Sequence, residues 1–182
     1  ARFQAAATQA GVLMLCDRLW HNGGYTITST SAQNSTTPTW PTRDNAGSSN
    51  GNGVLLALEI SAATGSGTPT ITIAYTNEAG TGSRSATNIA ATLASSAIGA
   101  TYLIGLQAGD KGVRSVQSLT LSATWTSGTM NLVAYRPLAL LELPGNLIPN
   151  AIDAITAGFP RLYNGVVPWL VFIPNTTTAS LV

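Results

Sequence analysis

Apolar and polar residues alternate through the middle of the chain. Residues 54–61 (VLLALEIS) and 68–76 (TPTITIAYT) carry an apolar side chain at every second position, the pattern of a half-buried β-strand. Apolar segments at 101–106 and 130–135 predict two further strands. Segments rich in Gly, Thr and Asn separate these strands at intervals of about ten residues, which is typical of an antiparallel β-sandwich or jelly roll.

Residues 116–139 predict a β-hairpin whose turn is the sequence TSGT at 126–129. Every second residue from Leu119 to Trp125 is apolar, and the opposite face consists of Ser and Thr hydroxyls. Arg136 is the only charged side chain in this segment. Because a strand pair that faces water usually carries charges, we expect the hydroxyl face to pack against another sheet or another chain.

Two segments predict helices. Residues 3–21 are rich in Ala, Leu, Met and Gln, with apolar residues spaced by three and four, and the sequence NGG at 22–24 provides a helix stop. Residues 150–158 predict a shorter helix in the C-terminal half, with Asn150 as its cap and Gly158 at its end. Both helices are expected to accompany the sandwich.

The sequence divides into an N-terminal helical segment, residues 1–24, and a β-sandwich domain, residues 25–182. The domain includes a long loop at 31–53 that is rich in Ser, Thr, Asn, Gly and Pro. Loops of this length are usually functional or partly disordered. Trp40 lies on this loop, where it either anchors the loop to the body of the domain or offers a stacking surface to a ligand.

Composition points towards an assembly. Of the 182 residues 45% are apolar, but only 8% are charged and the net charge is +1, whereas charged residues usually make up about a quarter of a domain. A nearly neutral surface favours association, although hydroxyls and amides solvate many extracellular β proteins equally well. The net charge offers no field for nucleic acid or anionic lipid, and the proline-interrupted run at 166–174 is too short to span a bilayer. We expect a protein that is soluble and binds neither nucleic acid nor a membrane.

Catalytic chemistry has little support in the sequence. His21 is the only histidine, Cys16 is the only cysteine, and the seven carboxylates are scattered singly. Cys16 lies in an apolar segment, where a lone cysteine is usually a small buried hydrophobe. No spacing matches a metal site, a phosphate-binding loop or a paired-carboxylate site. We therefore predict a non-enzyme without a cofactor or a metal.

Contacts with other molecules are expected from bulky or charged residues near predicted turns. The sequence DKGVR at 110–114 is the densest charge cluster. It suggests either a loop that forms an intersubunit salt bridge or a Gly-flanked turn in which Asp110 adopts an Asx conformation. The interaction candidates are Trp20, His21, Trp40, Arg43, Asp110, Lys111 and Arg114.

Several phrases of the sequence resemble a known family. They are DNAGSSNGNGVLLALEIS (44–61), TPTITIAYTNEAGT (68–81), LQAGDKGVRSVQSLTLSATW (106–125), RPLA (136–139) and GFPRLYNG (158–165). Over residues 40–170 the chain resembles the small, β-rich structural proteins of tailed-bacteriophage virions. The resemblance implies self-association as a dimer or trimer and docking on a repeating lattice of major capsid protein, after synthesis in the host bacterial cytoplasm. It brings no catalytic residues.

Among virion positions, the surface of the capsid is preferred, as for a decoration (cement) protein. The chain is short for a lattice-forming major capsid protein and lacks the long charged helix expected there. A tail protein of the tube, baseplate or fibre is an alternative, although a tube that passes DNA usually has an acidic lumen. A carbohydrate-binding β-sandwich module is a second alternative, with Trp40, Trp125 or Trp169 as stacking platform. Trp125 and Trp169 lie in apolar strand patterns and are expected in the core, which leaves Trp40.

Overall fold

The structure, a computed structural model, describes residues 2–155 and 162–176. Within these residues it contains eleven β-strands and no helix. The antiparallel β character agrees with the alternation in the sequence, but the two predicted helices are wrong. The strands are β1 (Arg2–Ala5), β2 (Gly11–Asn22), β3 (Gln33–Asn34), β4 (Leu55–Ala62), β5 (Ile71–Asn77), β6 (Arg84–Asn88), β7 (Thr101–Gly105), β8 (Val113–Leu121), β9 (Thr129–Leu143), β10 (Asn150–Asp153) and β11 (Pro168–Pro174).

Two compact units make up the chain. Unit 1 consists of Ala1–Arg18 and Pro137–Val182, and unit 2 consists of Leu19–Arg136. Strands β2 and β9 each contribute residues to both units. The boundary therefore falls within two strands rather than in a linker.

Unit 2 contains a sheet with the strand order β9-β4-β7-β6-β5-β8-β3. Within this sheet, β4 pairs with both β7 and β9, so that Leu58 lies opposite Tyr102 on one side and Leu132 on the other. The alternating residues predicted from the sequence, such as Ile71 and Ile73 of β5, are fully buried. Each large apolar side chain buried in this way contributes about 1.5–3 kcal/mol, so the alternating strands form the main core.

Strands β8 and β9 exist as predicted, but they do not form a hairpin. Strand β8 pairs with β5 and β3, whereas β9 pairs with β4. The segment between them carries Trp125, which is fully buried and donates a hydrogen bond from Nε1 to the carbonyl oxygen of Leu93 (3.2 Å). The sequence TSGT therefore lies in a connection between distant strands. The tryptophan holds this connection against the core of unit 2.

The segments that were predicted to be helices contain β-strands, and in unit 1 each of these strands pairs with another strand. Strand β1 pairs with β10, which places Phe3 opposite Ile152, and β2 pairs with β11. The helical spacing of residues 3–21 arises because Leu13, Met14 and Cys16 of β2 are all buried. A strand that is covered on both faces loses its alternation.

The residue expected to cap the C-terminal-half helix is also engaged differently. The Asn150 side-chain amide donates to the carbonyl oxygen of Glu142 (2.8 Å), and its oxygen accepts from the N–H of Ala151 (2.8 Å). Residues 150–153 are the strand β10, and Gly158 lies outside the described residues. A local Asx hydrogen bond has replaced the helix cap.

Strand β11 is the terminal strand of its sheet. It pairs with β2 from Pro168, opposite Asp17, to Pro174, opposite Gly11. The apolar strand pattern around Trp169 predicted a strand in the core, but within β11 only Val171 is buried. The prediction of a strand was right and the prediction of its burial was wrong.

Candidate interaction surfaces

Trp40 anchors the long loop to the body of unit 2. Its side chain is 2% exposed, its Nε1 donates to the carbonyl oxygen of Val113 (2.7 Å), and its ring meets that of Trp20 edge-on at 6.3 Å. Of the two roles considered for Trp40, these contacts correspond to the anchor of the loop. Because its ring is buried, it cannot serve as a stacking platform for a sugar.

Asp44 holds the second half of the same loop, a role that the sequence analysis missed. Its carboxylate accepts hydrogen bonds of 2.7–3.0 Å from five donors that follow it closely in the chain. Burial by itself would raise the pKa of Asp44, but the hydrogen bonds from Ser48, Asn52 and Ala46 outweigh it and the pKa lies below its ordinary value. An Asp followed by Ser and Gly is the Asx-turn composition that could have revealed this site. The donors are the N–H groups of Ala46, Ser48, Gly51 and Asn52 and the hydroxyl of Ser48.

Asp110 is the centre of a hydrogen-bonded cluster inside the subunit. Arg84 binds its carboxylate with two parallel hydrogen bonds of 2.8 Å, from Nε and Nη2. The Asn77 amide donates to it at 2.8 Å and the Tyr75 hydroxyl also donates to it. The Arg84 guanidinium, together with the donors Tyr75 and Asn77, outweighs burial and holds the pKa of Asp110 well below its usual range. Asp110 thus has an ion-pair partner in its own chain, which removes the reason to assign it to an intersubunit salt bridge.

The Tyr75 phenol should titrate late. Burial raises its pKa to about 12, and the hydrogen bond to Asp110 adds to the shift. Its contribution to stability is complete below about pH 10, the pKa of an unfolded tyrosine, and is lost as the pH rises through 12. In an alkaline titration followed at the tyrosinate absorbance band, one of the five tyrosines should ionise near pH 12. Tyr75→Phe should remove this late component, whereas Tyr163→Phe should retain it. Complete ionisation of the wild type by pH 11 would contradict the prediction.

The remaining candidates differ in exposure. His21 at the end of β2 and Lys111 are exposed, and the backbone N–H of Lys111 donates to the Glu78 carboxylate (3.1 Å). Arg43 is half-buried, and its backbone N–H donates to the carbonyl oxygen of Pro41 (2.7 Å). Arg114 is exposed on β8 and lies beside a groove.

Exposed apolar side chains are concentrated in unit 1, and the sequence analysis did not predict them. Twelve large hydrophobic residues of the described chain are exposed, and nine belong to unit 1, which holds about a third of the residues. We call these nine the apolar surface of unit 1. Its members are Leu140, Leu147, Ile148, Ile155, Leu162, Tyr163, Val167, Leu170 and Ile173.

The C-terminal part of unit 1 carries few charges, as does the chain as a whole. Only Glu142, Asp153 and Arg161 are charged within residues 137–182. Trp169, which was expected in the core, is half-buried in β11, with the Arg18 guanidinium 5.2 Å from its ring centroid. Exposed apolar side chains usually mark sites of contact with other molecules where they lie together on the surface.

The described residues contain neither a cluster of metal-binding side chains nor a membrane-spanning helix. No group of three or more His, Cys, Asp or Glu side chains is arranged to hold a metal ion. Among the same residues, no helix is long and apolar enough to cross a membrane. Comparisons with protein-family models, with curated proteins and with solved structures gave no significant match.

Proposed function

We propose that the chain is a structural protein that associates with copies of itself, as a dimer or trimer, in the virion of a tailed bacteriophage. The observation that carries this proposal is the apolar surface of unit 1. Obligate interfaces bury surfaces that are apolar and depleted in charge. The nine exposed apolar side chains of unit 1 match the apolar part of that description.

The edge of the sheet supports the same proposal. Strand β11 has β2 as its only neighbour among the described strands, and Leu170 and Ile173 of β11 are 55% and 39% exposed. Exposed apolar edge strands pair readily with other chains, and natural proteins limit this with charges or prolines. Here β11 contains no charged residue, and Pro168 and Pro174 lie at its two ends. The prolines restrict the edge available to a partner to the five residues between them.

The assigned place in the virion is the capsid surface, where the chain would dock on the lattice of major capsid protein and decorate or stabilise it. This part of the proposal depends on the resemblance in sequence, together with a composition suited to association. A tail position is the alternative outcome of the test below. The carbohydrate-binding module is not favoured as the main function, because Trp40 is buried.

Association itself is the first expected result. Light scattering coupled to gel filtration, at micromolar protein concentration, should give a mass that is two or three times the 18.7 kDa of the chain. The reason is that an apolar surface gains about 25 cal/mol for each Å² that association removes from water. A monomer at this concentration would contradict the proposal of self-association.

Position on the particle is tested by immunogold electron microscopy of intact virions, with antibody raised against the purified chain. Label spread evenly over the head would support decoration of the capsid. Label confined to the tail would overturn decoration and support the alternative. Particles without label, in a preparation where antibody against the major capsid protein does bind, would overturn the virion proposal.

A further inference from the structure

A groove in unit 2 carries a set of polar side chains that the proposed function does not use. Its volume is about 400 Å³, within the range of about 300–1,000 Å³ typical of small-molecule sites. Five hydroxyl side chains and one guanidinium line it, from the long loop and from strands β5 and β8. They are Thr37, Thr39, Ser49, Thr76, Ser115 and Arg114.

Three of these hydroxyl oxygens already accept a hydrogen bond from an amide of the protein. Thr37 Oγ1 accepts a hydrogen bond from the N–H of Val116 (3.2 Å), and the Gln117 amide donates to both Thr76 Oγ1 (2.9 Å) and Ser115 Oγ (3.1 Å). A hydroxyl has one proton and two lone pairs. Because each oxygen already accepts from a protein amide, its proton remains available to a ligand.

Arg114 adds a positive charge to these donors. It is exposed, and among the described residues it has neither an ion pair nor a hydrogen bond. The Nη1 atom of Arg114 lies 3.2 Å from the point where a Cβ atom at position 80 would lie. A residue larger than Gly80 would therefore crowd the guanidinium. Two carboxylates of unit 2 are engaged with other groups, because Asp110 binds Arg84 and the Glu78 carboxylate accepts from the N–H of Lys111.

A site made of a guanidinium and O–H donors favours a ligand rich in acceptors, and an oxyanion is the strongest acceptor. The groove is much larger than an inorganic anion, so its occupant has a polar body as well. Thr39 and Ser49 make no hydrogen bond to the described residues through their side chains, and hydroxyls that both donate and accept match the hydroxyls of a sugar. One arginine without an exposed aromatic neighbour in the lining does not resemble a nucleic-acid surface.

We propose that this groove binds an acidic saccharide. Arg114 and the hydroxyls of Thr37, Thr76 and Ser115 hold the carboxylate, and Thr39 and Ser49 contact the hydroxyls of the sugar. The ligand is recognised by hydrogen bonds and charge, and stacking on Trp40 has no part in it. This site is separate from the apolar surface of unit 1, so its test does not depend on self-association.

Isothermal titration calorimetry tests the proposal with three probes: digalacturonate, the neutral disaccharide galactobiose, and sodium sulfate. Digalacturonate should bind, and galactobiose and sulfate should each bind at least tenfold more weakly. Arg114→Gln should weaken digalacturonate at least tenfold, because charge-assisted hydrogen bonds are roughly twice as strong as neutral ones. Lys111→Gln is the matched control. It removes the same charge three residues away and should change the affinity less than twofold.

Other outcomes would overturn the proposal. If galactobiose bound as tightly as digalacturonate, the carboxylate would not contribute to binding. If sulfate bound as tightly as digalacturonate, the groove would be a simple anion site. An equal loss of affinity for digalacturonate in Arg114→Gln and Lys111→Gln would mean that the affinity depends only on the net charge of the protein. Failure of digalacturonate to bind the folded wild type would exclude this class of ligand. The thermal unfolding midpoints of both variants should match the wild type, since both side chains are exposed.

Discussion

Leu170→Lys should dissociate the assembly into monomers that remain folded. Leu170 is 55% exposed on β11, so its replacement removes little from the core of its own subunit. At an interface it would lose about 1.5–3 kcal/mol of apolar contact and would bury an ammonium group without a partner. We expect association to weaken at least 100-fold, which corresponds to about 2.7 kcal/mol. Sedimentation across a concentration series measures the change.

The matched control for this experiment is Leu93→Lys in unit 2. Leu93 is 65% exposed, comparable to Leu170, but it lies outside the apolar surface of unit 1. Its replacement should leave the oligomer intact. If only Leu93→Lys dissociated, the interface would lie in unit 2 and not in unit 1. If the oligomer were unchanged in both variants, a role of β11 in association would be refuted.

Trp40→Ala should lower the free energy of unfolding by about 3–5 kcal/mol, the range for truncating a buried aromatic side chain. The substitution leaves a cavity beside Trp20 and removes the hydrogen bond to the carbonyl oxygen of Val113. The loop at 31–53 should then be cleaved faster by protease, because its main anchor is lost. Urea denaturation followed by circular dichroism gives the stability.

Two further variants separate the contributions of Trp40. Trp40→Phe keeps most of the apolar ring but loses the N–H donor, so it should cost only about 1–2 kcal/mol. Trp169→Ala truncates a half-buried tryptophan of β11 and should cost less than Trp40→Ala. A loss below about 1 kcal/mol in Trp40→Ala would show that the loop is held by other contacts, such as those of Asp44.

Strands that bury one face could be predicted from the sequence. Ile71 and Ile73 are fully buried, whereas Thr72 between them is exposed, so alternation is visible along β5. Strand β2 could not be predicted in this way. Its burial on both faces produces the three- and four-residue spacing of a helix, and its Ala, Leu and Met residues have high helix propensity. Tertiary packing has overridden that propensity.

Strand pairing was not available from local patterns. The turn-like sequence between β8 and β9 suggested a hairpin, but β9 instead places Leu132 against Leu58, far away in the chain. The hydrogen-bond partners in the candidate sites are likewise either close in sequence or far away. The donors of Asp44 lie within eight residues of it and could be inferred, whereas Arg84, the partner of Asp110, is 26 residues away.

A further disagreement between sequence and structure is the exposure of β11. An apolar sequence predicts burial, and Leu170 and Ile173 remain exposed in the isolated chain. Places where local expectation fails in this way are often functional sites. In our proposal these residues of β11 are buried in the assembly, although they are exposed in the monomer.

The pairing of β2 with β11 has a consequence for how the protein is made. Strand β2 (Gly11–Asn22) is synthesised well before β11 (Pro168–Pro174), the strand that covers one of its two edges. At about 5–20 residues per second, the wait lasts many seconds. Until then one edge of β2, a strand that carries Leu13, Met14 and other apolar residues, lacks this partner strand. A chaperone that binds short apolar segments would therefore find its target in the nascent chain at this strand, well before the apolar surface of unit 1 has been translated.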